Sequence, residues 1–225
     1  YYMVQYNLTK NRKSKRKSME RIYKILPKYA FIPIISCLLL NSITYFGSRI
    51  FTTGMHHYDI SIAIDRMLPF VTPMVSVYVL AYVTWILGFI IIGRESKKLC
   101  YEVCSAEMIA KLICLVCFII MPTTLTRPEI TGTGFWNWLT SLIYSTDAAD
   151  NLFPSIHCLE SWILFRGVMR CEKQGTAMKI FMFVSAILVF ASTVLIKQHV
   201  VIDIIGGVLV VEIGLFLAKK LNTKR

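Results

Sequence analysis

The chain has 225 residues, 56% of them hydrophobic and 17% charged, with a mean hydropathy of +0.59. That composition excludes an ordinary soluble domain and a disordered chain, and points to a polytopic all-α membrane protein. The net charge of +12 invites a nucleic-acid reading, but the placement of Lys and Arg gives it a simpler cause.

Residues 1–28 form a basic tail, densest in Lys-Asn-Arg-Lys-Ser-Lys-Arg-Lys (10–17). It reads as a cytoplasmic topology anchor touching anionic head groups. Residues 29–225 read as one membrane domain of six transmembrane helices, at about 29–50, 67–93, 101–122, 154–170, 177–196 and 199–219. The first apolar run is too long for a cleaved signal peptide and lies behind the tail. The third span contains Lys111, and the fourth contains His157 and Glu160. Between them lies the one long connection, 123–153. Its stretch Phe-Trp-Asn-Trp-Leu-Thr-Ser-Leu-Ile-Tyr (135–144) predicts a short interfacial helix, with Trp136 and Trp138 at head-group level. The seven cysteines are scattered, and Cys114 and Cys117 read as packing residues with no disulfide framework. His56 and His57 read as exposed loop residues, Asp147, Asp150 and Asn151 as loop and cap residues, and Gly206-Gly207 as close helix packing.

Six spans with both ends inside leave only Arg49, Arg66, Arg127 and Lys197 on the outer side, out of 25 Lys and Arg. This is the positive-inside pattern of a cell-membrane protein. It puts Arg127, His157, Lys197, His199 and Asp203 at the outer ends of spans three to six. Cations where insertion disfavours them suggest an anionic ligand, and phosphate fits both Arg and Lys. His199 and Asp203 lie four residues apart, one turn on a helix face. A carboxylate behind an imidazole fixes its tautomer and frees the other ring nitrogen. Ser155 is a good helix N-cap, so a helix dipole points toward the same region.

Together these residues resemble the three motifs of the type 2 phosphatidic acid phosphatase superfamily, over roughly 120–207. The first family motif is Lys, six residues, Arg-Pro; Arg127-Pro128 match, while Ile120 stands at the lysine position. The second, Pro-Ser-x-His, is matched by Pro154, Ser155 and His157. The longer stretch Asp147-Ala-Ala-Asp-Asn-Leu-Phe-Pro-Ser-Ile-His is similar to a bacterial branch near the inositol phosphorylceramide synthases. The third motif is matched by Ser192, His199 and Asp203, with Thr193 at its arginine position and Lys197 two residues before His199. The resemblance implies a lipid phosphatase acting on a phosphomonoester or diphosphate. His199 would attack phosphorus, Asp203 would hold its ring, and His157 would protonate the leaving alkoxide. Arg127, Ser155 and Lys197 would bind the phosphate, with Asn151, Glu160 and Ser192 as supporting candidates. No metal or cofactor is implied; the expected partners are a lipid phosphate and membrane lipids, not nucleic acid. Two other readings remain: a lipid phosphotransferase using an alcohol acceptor, and a non-catalytic scaffold or transporter.

Overall fold

A computed structural model describes Glu20 and residues 22–222; the basic stretch 10–17 lies outside the described residues. Helix α1 (Lys28–Ser42) continues through a π-helical turn (Ile43–Gly47) into a last α-turn (Ser48–Thr52). Then come strand β1 (Tyr58–Asp59), the short helix α2 (Ala63–Met67) and helix α3 (Val75–Glu95), the last entered through a 3₁₀ turn (Thr72–Met74). Ser96 alone separates α3 from α4 (Lys97–Ile120); its extended backbone breaks the helix and its hydroxyl accepts Leu99 N. Strand β2 (Thr123–Thr124), α5 (Phe135–Thr146), α6 (Ile156–Met169), α7 (Thr176–Leu195) and α8 (Val201–Asn222) complete the order.

Among the described residues five rods are long and apolar enough to cross a bilayer: 28–52, 72–95, 97–120, 176–195 and 201–221. Their outward faces carry Leu38, Leu39, Leu80, Val83 and Ile86, each at least half exposed. Apolar area on that scale is untenable in water. The fourth expected span is the exception. Helix α6 has 14 residues, about 21 Å of helix, short of a hydrocarbon core of about 30 Å. It need not meet lipid along its length, because α3, α4, α7 and α8 all pack on it. It also starts low. His157, in its first turn, touches the rings of Tyr78, Tyr82 and Trp85 on α3. Tyr82 lies seven residues into α3, so α6 begins about 10 Å below the head of its neighbour.

Two contacts fix that starting point. A Cβ at Gly207 on α8 would lie 2.7 Å from Ser155 O and 3.2 Å from Leu159 N. Only a glycine there lets α8 reach the head of α6. The Ser155 N–H in turn donates to Asp203 O at 3.1 Å. Above this junction β1 pairs in parallel with β2, Tyr58 opposite Thr123, and Thr124 bridges to Asp150. Thr123 Oγ1 accepts the N–H groups of Leu152 and Phe153, at 3.0 and 2.8 Å. The loop after the first rod is thereby tied to the segment leading into α6.

The core is built from Cys37, Ile92, Val103, Cys104, Leu159 and Ile163 among others, and all seven cysteines are free. Inside it sits an ionic triad. Lys111, fully buried, contacts Glu107 at 2.6 Å and Glu160 at 2.5 Å, and donates to Cys37 O at 3.1 Å. Lys111 is therefore a bundle residue held by two carboxylates, as buried charge requires, and not a cation of the inner face.

Candidate active site

The turn between α7 and α8 presents His199. Ile196 N returns to Ser192 O, and Lys197 adopts a left-handed backbone with φ 53°. That reversal lets Gln198 N and His199 N both donate to Thr193 O, at 2.8 and 3.1 Å. Asp203, in the first turn of α8 and fully buried, accepts Val200 N at 3.0 Å through Oδ2. The same oxygen faces His199 Nδ1 at 3.1 Å. Nδ1 is then the protonated nitrogen and Nε2 is left for the site. The two residues meet, but not along one helix face as the spacing suggested: His199 lies in the turn before α8 and Asp203 in the helix's first turn.

Ser155 caps α6, its hydroxyl accepting Cys158 N at 3.3 Å. Two residues on, the His157 ring lies 6.1 Å from the His199 ring, centroid to centroid. It stacks on Tyr78 at 4.2 Å, and its Nε2 is buried without a partner among the described residues. The two histidines therefore come together from the first turn of α6 and the turn that leads into α8.

Arg127 enters from the loop after β2. Its Nη1 donates to Asp147 O at 2.7 Å and Tyr144 O at 3.3 Å, and its Nη2 to Gln198 Oε1. Its guanidinium lies 4.5 Å over the Tyr144 ring. Burial lowers the Arg127 pKa, against the opposing charge of Asp147. Burial alone would raise the Asp147 carboxyl. The charges of His157 and His199 and hydrogen bonds from Tyr45 and Tyr78 outweigh it and hold the group below the usual carboxylate range. Arg49, on the last turn of the first rod, pairs with Asp150 at 2.8 Å.

The remaining expected residues lie further out. Lys197 Nζ donates to Asp65 O and Leu68 O, both at 2.8 Å, so it clasps the end of α2. Glu160 faces Lys111, not His157. The Ser192 hydroxyl closes on Val189 O in its own helix. Asn151, with φ 51°, donates to Ser48 Oγ and Thr52 Oγ1 and anchors the loop to the first rod.

Two cavities meet at His199. One, of about 280 Å³, is walled by aromatics, with His157, Tyr45, Tyr78, Tyr82 and Trp85 in its lining, and reaches down to Phe118. The other, of about 650 Å³, is the more polar of the two, with Arg66, Arg127, Lys197, Asp59 and Asp65 set among apolar residues such as Leu125 and Val200. Sequence reasoning passed over Tyr78 and Tyr45, because an aromatic in an apolar span reads as core, and it also passed over Gln198 in the turn before α8. One signal was there: Tyr78, Tyr82 and Trp85 recur at helical spacing on one face, and two of them carry hydroxyls.

This arrangement offers a free imidazole nitrogen backed by a carboxylate, a second imidazole beside it, and a guanidinium at the rim. Such a set can attack a phosphoryl group, move a proton and offset charge. A comparison with family models matches residues 56–217 to one described as PAP2 superfamily. A search of curated proteins returned no significant match. The matched stretch holds Arg127, His157, His199 and Asp203 and reaches from the loop after the first rod into the last one, so the chain belongs to the PAP2 superfamily.

Proposed function

We propose that the protein is an integral membrane lipid phosphatase that hydrolyses a phosphomonoester or diphosphate through a phosphohistidine on His199. The observation that carries this reading is the His199–Asp203 contact, 3.1 Å at Nδ1, beside a second histidine. Attack by Nε2 breaks the bond from phosphorus to the leaving oxygen, which His157 protonates. His157 then takes a proton from the water that releases phosphate. Arg127, the cap region of Ser155 and the ammonium of Lys197 offset charge on the equatorial oxygens. The leaving alcohol occupies the aromatic cavity, because His157 lines that cavity and not the polar one.

The scheme needs no metal, since imidazoles and cations fill the roles a divalent ion would take. We place six spans across a cell membrane, counting the short α6 as the fourth and both termini as cytoplasmic. Helix α5 lies at the outer interface, a reading supported by the exposed Phe135, Trp136 and Trp138.

The test is a phosphate-release screen over lipid phosphates in detergent with EDTA present. Release that His199→Ala abolishes is the expected result. Turnover of this variant above about one per cent, or activity lost in EDTA and restored by one divalent ion, sinks the scheme.

A second reading is transfer to an alcohol, and the polar cavity favours it. It shares His199 with the aromatic cavity but not His157, and a non-leaving substituent of the phosphate would sit there. Its 650 Å³ is more than orthophosphate needs. Product analysis with and without inositol or glycerol separates the two readings.

A further inference from the structure

We infer that Tyr78 and Asp147 are the positioning pair of His157, holding its ring and favouring its protonated form as donor to the leaving oxygen. The inference rests on the phosphoryl-transfer reading above. His199 has a carboxylate in contact with Nδ1. Among the described residues His157 has none, yet the proton-donor role asks more of it, since it must carry the charge before the reaction starts.

Tyr78 supplies the link. It is 1% exposed, and its hydroxyl donates to Asp147 Oδ2 at 2.8 Å. The Tyr78 hydroxyl oxygen itself lies 3.4 Å from His157 Nδ1. A proton on Nδ1 then faces a phenol oxygen whose own proton is committed to a carboxylate. The phenol ring also lies under the imidazole, 4.2 Å away and within 26° of parallel. Trp85 and Tyr82 stand at 5.4 and 6.0 Å, so three aromatic rings surround a group that is to become cationic.

Asp147 itself needs an explanation. A carboxylate beside a phosphate site repels the substrate. Its side chain has no direct ion pair among the described residues. Arg127 reaches only its backbone oxygen, and Arg49 is bound to Asp150 and the Tyr45 hydroxyl. Its two oxygens are held by the phenols of Tyr45 and Tyr78, from two different rods. An imidazolium at His157 provides the missing counter-charge. The other groups facing His157 are Tyr45, through Asp147, and His199, whose protonation opposes that of His157; Glu160 on its own helix is turned to Lys111.

The test uses two variants and two leaving groups. Tyr78→Phe keeps the stacked ring and removes the hydroxyl; Asp147→Asn keeps the size and removes the charge. An alkyl lipid phosphate needs a proton on its leaving oxygen, whereas a 4-nitrophenyl phosphate ester leaves without one. On the alkyl substrate each variant is expected to lose about ten-fold or more in kcat/KM, within the range of a general acid, and the alkaline limb of its pH profile should move to lower pH. On the aryl substrate the loss should be under about two-fold. Equal losses on both substrates, or an unmoved limb, overturn the proposal. If the wild type cleaves neither ester, the hydrolase reading fails separately. Titration of histidine-labelled protein by NMR then decides, with His157 identified by its loss in His157→Gln. The His157 midpoint should fall in Tyr78→Phe and Asp147→Asn, and an unchanged midpoint overturns the proposal.

Discussion

Residues with similar chemistry are put to different uses by their contacts. Asp203 is spent on one nitrogen of His199 and on capping α8, so Asp203→Asn keeps the cap oxygen but loses the charge behind the ring. Activity should fall less than in His199→Ala, where the attacking atom is gone; equal loss in the two variants would assign Asp203 a structural necessity beyond orientation. Lys197 has two kinds of work in one ammonium. Its bonds to Asp65 O and Leu68 O fasten α2 to the motif turn, and the group also lines the polar cavity. Lys197→Gln is expected to cost about 1.5–3 kcal/mol, the range for a hydrogen bond from a charged group, and to raise KM about ten-fold. An unchanged Tm removes the clasp from the account, and an unchanged KM removes Lys197 from the phosphate.

At the scale of elements, the site depends on how closely α8 lies against the head of α6. Gly207→Ala puts a methyl 2.7 Å from Ser155 O. Backbone cannot yield there without moving His157 relative to His199. Overpacking of this kind costs about 1–3 kcal/mol, and the loss of kcat should exceed what the loss of folded protein explains. Gly175→Ala, where a Cβ meets nothing within 4 Å, is the control and should behave as wild type. Full activity in a folded Gly207→Ala protein would show that the junction tolerates displacement. The triad of Glu107, Lys111 and Glu160 works at the same scale: it pins α6 to α4 in the core, one turn below His157. Lys111→Met leaves two buried carboxylates without their cation, a change that should cost about 3–5 kcal/mol, read as a fall in Tm in detergent. A Tm within a degree of wild type would mean that these carboxylates do not need the lysine.

The whole molecule has two unlike ends. Arg94, Lys97, Arg166, Arg170 and Lys173 gather where α3, α4 and α6 meet, partly bonded among the acids there, as in Arg170 with Glu102 at 2.9 Å. The histidines, Arg49, Arg66 and Arg127 occupy the opposite end. A cysteine at Thr133, in the exposed loop before α5, is expected to react with an impermeant thiol reagent on intact cells. One at Gly175, between α6 and α7, is not. Six of the seven native cysteines are buried and Cys117 is half-buried, so the background should be low. The reverse pattern would turn the site to the cytoplasmic leaflet.

Much of this was legible in the chain itself, and the rest was not, for one physical reason. Long apolar runs separated by charge determine which segments are helical rods, because hydrocarbon tolerates no unpaired backbone. The short spacing of His199 and Asp203 brings them within reach of each other, and Asp203 at the head of α8 meets the ring from the turn just before the helix. Gly206-Gly207 within α8 announces close packing without saying against what. Everything decided between distant segments needed the fold: the shortness and low start of α6, the Lys111 triad, the clasp of Lys197 on α2, and the Tyr78–Asp147 link 69 residues apart in sequence. Periodicity states which face of a helix is buried. Only tertiary packing states which partner it meets, since that depends on crossing and depth, to which local spacing is blind.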